Sequence, residues 1–188
     1  LVCAPVPPPP VQRFDVIVSA GGGAVGAALI DAAIKAANLM PELDQWCVIA
    51  GPNLPQADFD RFTQDARPGV QAVRFRRDFT SLLAGARLSV SQAGYNTVGD
   101  ILQAGCRALL VPFSAQGETE QTDRAERLAA LGRAVVLPEP ELCADSMAAA
   151  IRQALVQVPL LGAKALQTTG AAGVAHALRD LLTKDHGT

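Results

Sequence analysis

Apolar residues come in short solid runs, separated by longer stretches in which they recur every third or fourth position, and the two patterns take turns along the chain. Phe14-Asp-Val-Ile-Val-Ser19 reads as a strand, Gly21-Gly-Gly23 as a turn, and residues 24–40 as a helix stopped at Pro41. The alternation continues with strands at 46–50, 70–75, 88–91, 108–112 and 134–137, and helices at 57–66, 79–86, 97–105 and 119–131. Two helices, near 142–156 and 163–183, close the chain. Strands that are apolar nearly throughout and alternate with helices need cover on both faces, which predicts an α/β fold: a Rossmann-like, doubly wound, six-stranded parallel sheet. In such a sheet ligands bind beyond the carboxyl ends of the strands, where the winding reverses. Four segments lie on that side: Gly21–Ala27, Phe75–Asp78, Gln92–Asp100 and Phe113–Gln121. Arg107 and Arg133 stand before strands, at the opposite edge, and read as solvated or helix-end charges.

With 188 residues, 49% hydrophobic and 18% charged, the chain can bury a sizeable core. A net charge of −2 and only 4% aromatic residues argue against a nucleic-acid partner. No run is long enough to cross a bilayer, so a soluble, cytoplasmic protein is expected. Cys3, Cys47, Cys106 and Cys143 form no C-x-x-C pair, and only His176 and His186 could assist them; Cys47, in a strand pattern, and Cys106, at a helix end, are expected to be buried thiols, with no metal and no cofactor. Residues 1–13 are proline-rich and stiff and read as a linker from an N-terminal domain upstream. Residues 14–183 then form one domain and 184–188 a tail.

The corner Ser91-Gln-Ala-Gly94-Tyr-Asn-Thr97-Val-Gly-Asp100 joins a strand to a helix through glycine. The first amides of a helix lack partners and suit a phosphate, and Asp100, about a turn further in, could accept hydrogen bonds from a ribose diol. These are the parts of a nucleotide site. Gly21-Gly-Gly-Ala-Val-Gly26 spells G-x-G-x-x-G, the dinucleotide fingerprint, but the second strand ends Val48-Ile-Ala-Gly-Pro-Asn53, without the acidic residue that would hold an NAD ribose.

The series Phe75…Asp78-Phe79, Ser91-Gln-Ala-Gly94…Thr97-Val98-Gly99-Asp100-Ile101, Gly105…Leu110-Val-Pro-Phe113 and Glu120-Gln121…Arg124-Ala125…Leu128…Gly132 resembles the C-terminal domain of MurG-type glycosyltransferases over most of residues 14–183. The run Val18–Gly26 is similar to a set of predicted bacterial glycosyltransferases. The resemblance implies one half of a GT-B architecture, the half that holds a UDP-sugar donor. The acceptor, the catalytic base and any peripheral membrane association would belong to an N-terminal domain or partner subunit. It further implies that Gly22, Gly23, Ala24 and Gly26 form a phosphate-side loop, with Ala24 in place of a hydroxyl residue. Phe75 and the Arg76 backbone would frame the base, and Gly94 and Thr97 the second loop. Asp100 would hold the ribose in place of a longer glutamate, and Glu120 and Gln121 would meet sugar or ribose hydroxyls.

Each of these residues also has a plainer reading. Asp100 could be a solvated helix residue, Glu118 and Glu120 favourable charges at a helix start, Thr119 and Asp78 caps, and Arg76 and Arg77 a solvated turn or diphosphate ligands. His176 and His186 read as structural. Three functions stay open from the residues: the donor domain of a hexosyltransferase, a UDP-sugar epimerase-like or NAD-type Rossmann domain, and a non-catalytic nucleotide-sugar-binding subunit.

Overall fold

A computed structural model describes residues 7–21, 26–113 and 119–157. Six strands form one sheet in which every pairing is parallel: β1 (Val16–Ser19), β2 (Trp46–Ile49), β3 (Val70–Val73), β4 (Leu88–Ser91), β5 (Ala108–Leu110) and β6 (Val135–Val136). Their order is β3-β2-β1-β4-β5-β6, so the winding reverses between β1 and β4. The helices are α1 (Ala27–Asn38), α2 (Gln56–Asp65), α3 (Phe79–Gly85), α4 (Tyr95–Ala104), α5 (Glu120–Ala130) and α6 (Ala144–Val156), with a short 3-10 turn at Glu139–Glu141. This is the expected doubly wound fold. The helix expected at 163–183 and the tail lie outside the described residues.

Side chains alternate along each strand, and both sets find cover. Val16, Val18, Trp46 and Val48 pack with Ile30 and Ile34 of α1, Phe62 of α2, and Met147 and Ile151 of α6. Ile17, Cys47 and Ile49 face the other way, onto Leu82 and Leu83 of α3, Val98 and Ile101 of α4, and Leu128 of α5. The alanine-rich α1 ends ahead of Pro41, and the Arg67 guanidinium closes it by donating to Ala37 O at 2.9 Å and Leu43 O at 2.7 Å. Residues 7–13 form no helix or strand, and Pro10 lies against the end of α3: a Cβ added to Gly85 would come within 2.4 Å of its Cγ.

Several boundaries at the carboxyl edge differ from expectation by one or two residues. The described part of α1 begins at Ala27, with Gly26 at the cap position, and residues 24 and 25 of the expected helix lie outside the described residues. α4 begins at Tyr95, two residues earlier than expected, with Gly94 at the cap position, φ −64° and ψ 146°. Asp100 is therefore the sixth helical residue, half a turn deeper than its expected place. No described helix is long and apolar enough to cross a membrane.

Candidate functional site

β1 and β4 are neighbours in register, with Ser19 opposite Ser91, so the chain leaves both strands side by side at the reversal point. The two corners touch. A Cβ placed on Gly21 would lie 3.1 Å from the Gln92 Oε1, so that carboxamide spans the gap between them. Gly21 has φ +71°, a conformation that suits glycine, and Gly26 is buried against Ala20. Gly22, Gly23 and Ala24 lie outside the described residues.

The helix ends at these corners share an electrostatic property. Neither α1 nor α4 has an acidic residue in its first turn or a side-chain cap, whereas α2, α5 and α6 carry Asp58, Glu120 with Asp123, and Asp145; α3 also lacks both, but has Asp78 at its cap position. The partial positive charge at the two adjacent ends is therefore not offset by a carboxylate in either helix's own first turn, an arrangement that suits an anion. Gly94 adds room: a Cβ there would meet nothing within 4 Å.

Thr97 and Asp100, three residues apart, share one face of α4. The Asp100 carboxylate is half-buried and has no hydrogen-bond partner among the described residues. Burial pushes its pKa above the ordinary 3.8.

β3 is the sheet edge, three strand spacings from β4, roughly 14 Å at about 4.8 Å each. Phe75 projects from its end and is 67% exposed, a large apolar ring in water. The Arg76 guanidinium is engaged elsewhere. Its Nε and Nη2 each donate to Asp78 at 2.8 Å, a bidentate pair that holds the Asp78 carboxyl below its usual range. Asp78 occupies the cap position of α3 without capping it, since its oxygens serve Arg76. Thr119 likewise stands before α5 without a side-chain cap.

On the other flank, Glu120 opens α5 with its side chain 82% exposed. The Gln121 Oε1 accepts from Phe113 N at 3.2 Å, tying α5 to the end of β5 and leaving the amide N–H groups as its donors. Arg124, one turn on, is a functional candidate that the sequence reading did not single out. Its Nη1 donates to Ala93 O at 2.6 Å, its Nη2 is 3.8 Å from the Glu120 Oε2, and its guanidinium carbon lies 5.8 Å from the exposed Tyr95 ring. The helical spacing of Glu120, Gln121 and Arg124 was the available signal. Arg107, at the opposite edge, donates to Gln157 O at 2.8 Å at the end of α6, the helix-end role expected for it.

Burial pushes the Cys47 thiol up to about 11 and the Cys106 thiol up to about 12, so both stay protonated. Cys143 is exposed and caps α6, its sulfur accepting from Ser146 N at 3.4 Å. The D-x-D spelling that does occur, Asp58-Phe59-Asp60, lies in α2, where Arg61 engages Asp58 at 3.5 Å and Gln56 engages Asp60 at 2.7 Å. No group of three or more potential metal ligands occurs among the described residues.

The strand order, with its reversal between β1 and β4, defines a Rossmann-like domain. The chain belongs to the glycosyltransferase family 28 C-terminal domain family, whose model matches residues 16–178. It is 32% identical over 179 residues to the UDP-N-acetylglucosamine--N-acetylmuramyl-(pentapeptide) pyrophosphoryl-undecaprenol N-acetylglucosamine transferase of Rhodospirillum centenum, covering 93% of this chain and 46% of the relative. The transferase of the same name from Cupriavidus pinatubonensis is 32% identical over 149 residues, covering 76% and 42%. The chain thus spans somewhat under half the length of these curated relatives. Among solved structures it is similar to the MurG of Acinetobacter baumannii, with a TM-score of 0.65 at 22% identity, over 92% of this chain and 50% of that one. It is equally similar to ALG13, with a TM-score of 0.65 at 12% identity, over 93% and 98%. These likenesses confirm the GT-B type of half-domain.

Proposed function

We propose that this chain is the donor-binding half of a glycosyltransferase that takes a hexose, an N-acetylhexosamine, from a UDP-sugar. An acceptor-binding domain or partner subunit would complete the enzyme. The observation that carries the reading is the pair of uncompensated helix ends at β1 and β4, one of them opening through a glycine that the fold itself does not require. In this reading the diphosphate lies across the two corners, where helix amides stabilise the charge that develops on the departing UDP. Phe75 covers the base, the Arg76 backbone reads its edge and Asp100 takes the ribose. Glu120 and the Gln121 amide group face the sugar hydroxyls. Because Arg76 is already paired to Asp78, its guanidinium is left out of the diphosphate contacts. The relatives' names, which specify a UDP-N-acetylglucosamine donor, support the choice of base and sugar.

Glycosyl transfer also needs a base to take the acceptor's proton. We assign none to the described residues and place that base in the complementary domain. Calorimetric titration with UDP, TDP, GDP and NAD tests the assignment. UDP should bind best, and a preference for NAD would overturn it. The chain assayed alone should transfer no sugar; turnover would remove the need for a complementary domain.

A further inference from the structure

Arg124 is an expensive residue in the free protein. Its side chain is only 13% exposed, and its Nε is buried with no hydrogen-bond partner among the described residues. Leaving a buried donor unpaired is destabilising, and an apolar side chain of similar length would avoid that loss while filling the same space. The ion pair to Glu120 offers little in return, being long and set on a carboxylate that is 82% exposed. What Arg124 does achieve is a bond to Ala93 O at 2.6 Å, 31 positions away in sequence.

Ala93 O belongs to the peptide whose nitrogen is that of Gly94, the cap residue of α4. Fixing that carbonyl fixes the plane of the Ala93–Gly94 peptide, and with it the direction in which the first amides of α4 point. The same guanidinium lies against Tyr95, the first residue of the helix. α5, which carries Glu120 and Gln121, is thereby joined to the phosphate-side corner of α4 through one side chain. The geometry points to Arg124 as a positioning residue for the diphosphate: it holds the β4–α4 corner in the orientation that receives the second phosphate. This inference rests on the donor-site reading above and adds to it a residue outside the expected set.

The test uses the 188-residue chain, titrated by calorimetry with UDP and UMP, with the unfolding midpoint recorded for each variant. Arg124→Met keeps the apolar stem and removes every donor. Its expected midpoint is equal to or above that of the wild type, while the preference for UDP over UMP falls about tenfold, the scale of one lost charge-assisted hydrogen bond. A variant that keeps the wild-type UDP-to-UMP ratio would overturn the role. So would a variant that unfolds or melts well below the wild type, because the arginine would then be serving stability. A wild-type chain that binds UDP and UMP equally would overturn it too. If the wild type prefers TDP or GDP, the base assignment fails and the ratio is read with the mono- and diphosphate of that base. If it binds no nucleoside diphosphate, both readings fall.

Discussion

The corners after β1 and β4 sit side by side and are both built on glycine, yet the fold demands glycine at only one of them. After β1, Gly21 adopts φ +71°, and a Cβ on Gly26 would come within 2.3 Å of the Ala20 Cβ and 3.0 Å of its carbonyl oxygen. After β4, Gly94 has φ −64° and ψ 146°, which any residue adopts, and a Cβ there would meet nothing within 4 Å. The first corner is small because strand and helix press together. The second is small with no internal cause, and a ligand approaching the backbone supplies one.

The largest effect should fall on the first corner. Gly26→Ala forces a methyl group onto a backbone carbonyl and another methyl, neither of which is the end of a flexible side chain. A loss of about 3 kcal/mol is expected, the upper part of the overpacking range, read as a lowered midpoint in urea. Wild-type stability would show that the corner is not packed for the sake of the fold.

Asp100→Asn should act on the second corner in the opposite sense. Removing the charged acceptor should weaken UDP about tenfold in calorimetry, near the lower end for hydrogen bonds to a charged group. Stability should move the other way. The folded pKa of Asp100 is raised by burial, so the folded chain holds this proton more tightly than the unfolded chain does. The resulting penalty is absent below the ordinary value of 3.8 and complete above the raised one. Wild-type stability relative to the asparagine variant should therefore fall as pH rises through that window. A variant less stable than the wild type at neutral pH would show that the charge is compensated within the protein.

Gly94→Ala should leave stability within a few tenths of a kcal/mol. Alanine is the poorer cap, but it lowers the entropy of the unfolded chain, and the two terms are of similar size. Its methyl group would occupy the space through which a phosphate approaches, so UDP affinity should drop several-fold, about 1 kcal/mol. Unchanged affinity would make the two corners alike in lacking a ligand-related glycine.

The sheet was legible because parallel strands buried on both faces are apolar nearly throughout, as in Val16–Val18 and Trp46–Ile49, although Leu88–Ser91 carries two buried serines. The placing of Asp100 near the start of α4 was legible too. Its helix boundary was not, because Tyr95 and Asn96 after Gly94 fit a turn as well as the first turn of a helix. Cys143 as the cap of α6 had no signal, since cysteine lies outside the usual capping residues. The Arg76–Asp78 pair spans only two positions, but which way the arginine turns depends on the turn that follows β3. Arg124 shows the deeper limit. Helical spacing sets it beside Glu120 and Gln121, whereas its contact with Ala93 exists only once α4 and α5 lie on neighbouring strands.

Gly99 gives the smallest effect and the sharpest check on the comparison. It lies inside α4, where glycine costs up to about 1 kcal/mol relative to alanine, and a Cβ there also meets nothing within 4 Å. By spacing it falls one turn from Tyr95, whereas Asp100 shares its face with Thr97. Gly99→Ala should thus raise the unfolding free energy by about 0.5–1 kcal/mol and leave UDP affinity unchanged. If affinity falls as it does for Gly94→Ala, the ligand-facing surface extends around the helix to the Tyr95 side. The contrast would then lie between two whole faces of glycine-bearing backbone, with Arg124 beneath the newly included one.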